Sequence, residues 1–150
     1  MKEIYYTYNN EAIASCIFLS VLNNAHELDI ARSCLILPFL LDDRTVSYLD
    51  RNKHVESDLE QIIKEQPRLF VSFNKRYLSL LPVTINSLLL LSKSNQIKID
   101  TQISSSGHLV FDKQNLGTRF QKIEEITPKF LSVIQKYSTS QLYKMLKIQL

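Results

Sequence analysis

At 150 residues, with 45% hydrophobic and 22% charged side chains, the chain has the composition of one globular domain and not of a disordered segment. Two glycines exclude a glycine-rich phosphate loop and disfavour a many-stranded sandwich, because tight turns need residues free to take positive φ. The net charge of +3 is unevenly spread: residues 1–43 hold two basic and six acidic side chains, residues 113–150 seven basic and two acidic, so the two ends suit different partners or are differently solvated faces.

Residues 1–8 (Met-Lys-Glu-Ile-Tyr-Tyr-Thr-Tyr) are rich in β-formers and read as extended, with Asn9 and Asn10 as N-caps of the first helix. From Ala12 and Ile13 through Cys16, Ile17, Val21 and Leu22 the apolar positions recur at three and four residues. That spacing predicts an amphipathic helix to about His26. Asp29 caps a second helix expected to run through Leu41, bent by Pro38. Its apolar run, Cys34 to Leu41, is too short for a bilayer span, which takes about 20 residues, and must be buried in protein. Asp42 and Asp43 open a short helix holding Val46, Tyr48 and Leu49.

Ser57 with Glu60 suggests a capping box for a helix ending before Pro67. Leu69 to Leu81 suits another, and Pro82 the first turn of the next. Val83, Ile85, Leu88, Leu89, Leu90 and Leu91 are apolar nearly all round, which predicts a central helix. Ile97 and Ile99 alternate with Lys98 and Asp100, and Leu109 and Phe111 with His108, Val110 and Asp112. With Ser104–Gly107 between them, these read as a hairpin. Thr118 opens a helical stretch with Pro128 as a break or kink, and Ser138 or Thr139 caps a last helix. The fold class is mainly α, a helical domain with one β-hairpin, winged-helix-like in its middle. It divides as 1–66 (helical), 67–112 (the winged-helix-like unit with Ser104–Gly107 as wing tip) and 113–150 (C-terminal helices).

The segment Leu35-Ile-Leu-Pro-Phe-Leu-Leu-Asp-Asp-Arg-Thr45, with Asn10-Glu-Ala-Ile-Ala-Ser15 before it, resembles the middle components of three-component ABC ATPase (ABC-3C) systems, the group that includes Lamassu-type anti-phage defence. The order that follows, helices, hairpin and helical C-terminus, is similar too. The resemblance implies an adaptor placed between an SMC-like ABC ATPase and an effector encoded nearby, commonly a nuclease, held inactive until foreign DNA is sensed.

A catalytic constellation is not evident. His26, His54 and His108 are scattered, and neither Cys16 nor Cys34 lies near a histidine in sequence, so a paired nucleophile and base is missing. The two thiols read as small buried hydrophobes of a reducing compartment. Asp42-Asp43-Arg44 reads as a helix cap with an ion pair rather than a metal corner. There is no Walker or zinc pattern, and the expectation is a protein that is not an enzyme and takes no cofactor. The N-terminus does not look like a signal peptide, so a cytoplasmic protein with no membrane contact is expected.

Winged helices read DNA with the second helix and grip phosphate with the wing. Here the helix from Pro82 to Leu91 offers Thr84, Asn86 and Ser87 and no cation before Lys93, and the wing has only Lys98 nearby. A DNA-binding transcription regulator is therefore the second reading and an adaptor the first. Pro38, Phe39, Asp42, Asp43 and Arg44 form the expected protein interface. Lys122, Lys129 and Lys136, seven apart, are the candidate phosphate contacts, which leaves room for indirect or non-specific DNA contact.

Overall fold

The computed structural model describes residues 2–106 and 117–150, with side chains described from residue 11 onward. Helix α1 spans Lys2–Ala25. The tyrosine-rich start is thus helical, not extended, and Asn9 and Asn10 lie inside the helix and do not cap it. Strand propensity is a weak preference that a longer helix overrides. His26, at φ 67°, ends α1 in the left-handed conformation.

Strand β1 (Glu27–Asp29) follows. Asp29 caps α2 (Ile30–Ser33) by accepting from the Arg32 amide at 2.7 Å. The single helix expected to Leu41 is instead two. Proline has no N–H to give the carbonyl four residues back, here that of Cys34, and the chain turns at Cys34–Leu35 before α3 (Ile36–Leu40). Asp42 caps α4 (Asp43–Arg51), accepting from the Thr45 amide at 3.2 Å and hydroxyl at 2.6 Å. The cap of α5 (Leu59–Glu65) is Asp58, one residue after the expected Ser57.

After a 3-10 turn at Pro67–Leu69, α6 runs unbroken over Phe73–Lys93 with Pro82 inside it. The expected restart at Pro82 does not occur: one lost bond, to the carbonyl of half-exposed Leu78, is tolerated in a helix of 21 residues. Strands β2 (Ile97–Ile99) and β3 (Gln102–Ser105) form the hairpin. Its turn is at Asp100–Thr101, and Ser104 and Ser105 pair with Lys98 and Ile97. The expected wing tip at 104–107 is therefore partly strand. The second strand expected at 109–111 lies outside the described residues. Strand β3 also pairs antiparallel with β1, Leu28 opposite Ile103, giving a sheet in the order β1-β3-β2. Helices α7 (Gly117–Ile134, with Pro128 inside it) and α8 (Thr139–Met145) complete the chain. Ser138 caps α8 in a reciprocal box with Gln141.

The core is centred on α1, where Ala14, Ile17, Phe18, Leu19, Val21 and Leu22 are all buried. Helices α6 and α7 pack on it. Every residue of α3 is buried, and Phe39 meets Phe73 of α6 at 4.8 Å and Phe130 of α7 at 5.1 Å between ring centroids. Helix α6, expected to be central, is buried on one side alone: Leu88 and Leu91 face inward, while Ile85, Leu89 and Leu90 are exposed.

Candidate interaction surface

Three surfaces carry the residues singled out above. The first is the corner between α3 and α4. The Asp42 carboxylate is mostly buried (side chain 12% exposed) because it caps α4. Arg76 of α6 lies under this corner. Its Nε donates to the Pro38 carbonyl at 3.2 Å, its Nη2 to the Leu69 carbonyl at 3.0 Å and its Nη1 to Ser72 Oγ at 3.0 Å, and its guanidinium lies 5.2 Å from the Phe73 ring. Asp42 is 3.9 Å from Arg76 and 3.8 Å from Arg44, too far for hydrogen bonds. Asp43 is 78% exposed and accepts from Arg119 Nε at 3.1 Å, while Arg119 Nη2 donates to the Leu41 carbonyl at 3.1 Å. Pro38 and Phe39 sit inside the core. Of the five expected interface residues, the structure leaves Asp43 and Arg44 on the outside.

The second surface is the lysine face of α7. Lys122 and Lys129, two turns apart, lie within α7, while Lys136 lies in the turn two residues beyond its end at Ile134. Each bonds a group across from it: Lys122 the Ser47 hydroxyl at 3.4 Å, Lys129 the Val55 carbonyl, and Lys136 the Asp58 carboxylate. The hydrogen bond to Asp58 holds the Lys136 ammonium above its ordinary pKa, and the same bond, with the amide of Gln61, lowers that of Asp58. Lys129, Lys136, Asp58 and Glu125 line an open groove of about 930 Å³. Its walls are of mixed sign, and phosphate affinity needs an excess of cations.

The third surface was not anticipated. Leu78, Ile85 and Leu89, with Leu90 beside them, are each about half exposed on α6, and Pro82 between them is exposed as well. At 3.6 residues per turn these positions stack into one stripe. On one side the Asn86 amide donates to Glu11 Oε1 at 3.1 Å. Exposed lysines, Lys75 and Lys93, stand at the two ends. Single exposed apolar side chains are ordinary, but an aligned set on one helix is a candidate contact surface.

Residues 2–150 match the family model for ABC-three component (ABC-3C) system Middle Component 3. The chain belongs to that family. The match extends the likeness seen in Leu35–Thr45 and Asn10–Ser15 over nearly the whole sequence. No curated protein and no solved structure matches the chain.

For a middle component, whose partners are the other components of its system, the α6 stripe is the surface that sequence reasoning missed. Its signal was present: an apolar pattern wider than one helix face, read as full burial, is also what a helix shows when it packs on its own domain and keeps a second apolar side for a partner. Among the described residues no three His, Cys, Asp or Glu side chains are placed to hold a metal ion, and no helix is long and apolar enough to cross a membrane.

Proposed function

We propose that this protein is a non-catalytic adaptor that bridges an SMC-like ABC ATPase and an effector, often a nuclease, in a Lamassu-type anti-phage system of the bacterial cytoplasm. The observation that carries this reading is the apolar stripe Leu78–Ile85–Leu89 on α6, in a chain whose family is defined by membership of a three-component system. A subunit that works by contact needs apolar surface left over after its own core is complete. The chain acts as a single domain. Its α6–β2–β3 succession is winged-helix-like, used for protein contact. Asp43 and Arg44 form a smaller, polar docking point, and contact of Lys122, Lys129 and Lys136 with DNA is non-specific.

The regulator reading is less well supported. Its recognition helix would be the second half of α6, where base contacts need Arg, Lys, Asn or Gln; there the exposed side is mostly leucine and isoleucine, and Asn86 is already bonded to Glu11. Co-expression of the tagged chain with the two other components, followed by size exclusion and mass photometry, tests the adaptor. One particle containing the ATPase is expected. A chain that elutes alone and shifts a duplex fragment at moderate salt overturns the adaptor in favour of the regulator.

A further inference from the structure

Leu78, Pro82, Ile85 and Leu89 succeed one another at intervals of four, three and four residues, all exposed. Alternating threes and fours are the spacing of a coiled-coil seam, to which the complementary surface is another helix crossing at about 20°. At about 1.5 Å per residue the seam from Leu78 to Leu89 is roughly 16 Å long, or three turns. That is enough for an apolar helix face to settle on it.

The charges select the occupant. Lys75 lies at the start of the seam and Lys93 at its end, both exposed, and among the described residues neither forms an ion pair or a side-chain hydrogen bond. A second copy of the chain fits badly. Parallel pairing of two α6 helices sets Lys75 against Lys75 and Lys93 against Lys93. Antiparallel pairing centred between Pro82 and Ile85 sets Lys75 beside Lys93 of the other copy. Either way like charges meet at both ends, and each such meeting disfavours association. An apolar helix carrying acidic residues at both ends meets a cation at each. The Glu11 carboxylate, the acidic group at the middle of one flank, is already bonded by Asn86 and does not alter the sign of the ends.

Building on the adaptor reading, we infer that the α6 seam docks an amphipathic helix of another component of the same system, one whose three-turn apolar stripe is bracketed by Asp or Glu. The test uses the full chain co-expressed with the two other components. A photo-crosslinking residue at Ile85 is expected to join the chain to one of them, and mass spectrometry to place the join in a helical segment with acidic residues about five turns apart, the spacing of Lys75 and Lys93. The double variant I85E/L89E, altered where the native side chains are half exposed, is expected to keep the wild-type circular dichroism spectrum and melting temperature and to weaken the complex about tenfold or more, the range for losing an interface anchor. The variant K75E/K93E leaves the seam intact and is expected to weaken the complex by a smaller factor at low salt and hardly at all at high salt.

If wild type forms no complex, the adaptor reading fails and the docking inference with it. If wild type forms the complex and I85E/L89E forms it equally well, the adaptor stands and the seam inference is overturned. A crosslink to a second copy of the chain overturns the choice of occupant.

Discussion

The Thr139 hydroxyl donates to the Asp29 carboxylate at 2.6 Å across 110 residues of chain. The other oxygen of Asp29 caps α2, and Arg32, one turn on, reaches the Tyr137 carbonyl and, at 3.1 Å, Thr139 Oγ1. Tyr143 adds a bond from its hydroxyl to the Ala31 carbonyl at 2.6 Å. The short segment after β1 is thus the clasp that holds α8, and through it the end of the chain, to the body.

Replacing Asp29 with alanine removes a cap, worth about 1 kcal/mol, and leaves the half-buried Arg32 without its charge partner. Expected destabilisation is about 2–3 kcal/mol, in the range for losing hydrogen bonds to a charged group. Urea unfolding of D29A against T139V measures it. T139V removes the tie but spares the cap and is expected to cost less than D29A, about 1.5 kcal/mol, the low end for bonds to charged groups. Equal losses in the two variants would show that the cap contributes nothing.

Phe39 supplies a sharper test, because its place in the sequence suggested an interface and its place in the structure is the core. It is 2% exposed and touches Phe73, Phe130 and, at 6.3 Å, Phe70. F39A is expected to destabilise the chain by about 3–5 kcal/mol, the range for deleting a buried phenyl ring, as read from the urea midpoint of the isolated protein. A variant that unfolds like wild type and loses its partners instead would return Phe39 to the interface.

How much of this was legible beforehand depends on the scale of the signal. Caps are local chemistry: Asp29 and Asp42 cap as expected, and Ser138 is the one of the pair Ser138 and Thr139 that caps, whereas Asn9, Asn10 and Ser57 do not, because where a helix starts is set beyond the cap residue itself. Prolines are local too, but their outcome is not. Pro38 divides a segment while Pro82 and Pro128 stay inside long helices, because a helix of four or more turns has enough remaining bonds and contacts to absorb one missing donor. Strand β1 has three residues, Glu-Leu-Asp, and a partner more than seventy residues away, so no alternation exists to read. The α6 stripe failed differently. Composition reports that a side chain is apolar, and whether its burial comes from its own chain or from another is decided by tertiary structure.

Cys16 and Cys34 are both free and partly covered. Burial pushes both thiols above their ordinary pKa, with the hydrogen bond to Ser33 partly opposing this at Cys34. The thiolate is the reactive species, so at pH 8 both are expected to react with Ellman's reagent at least about tenfold more slowly than an open thiol, with the rate rising steeply toward alkaline pH. Stopped-flow labelling of native protein, with denatured protein giving the full count of two, checks this. A fast native phase would mean that one thiol is open to solvent.

The pair formed by Asp58 and Lys136 gives the stability of the chain a defined pH window. Asp58 caps α5 by accepting from the Gln61 amide at 3.0 Å and also receives the Lys136 ammonium, so its folded pKa is lowered while that of Lys136 is raised. For a lowered carboxyl, the stabilisation is complete above the unfolded value of about 3.9 and is lost as pH falls through the folded value. For a raised ammonium, it is complete below the unfolded value of about 10.4 and is lost as pH rises through the folded value. The variant D58N keeps a side chain able to cap and removes the charge. Melting temperatures of wild type and D58N are therefore expected to differ by a constant amount from about pH 5 to pH 9 and to converge at both extremes. Both side chains are solvent-facing, so added salt shrinks the plateau. A difference that persists unchanged below both carboxyl values would assign the effect of the substitution to the cap alone.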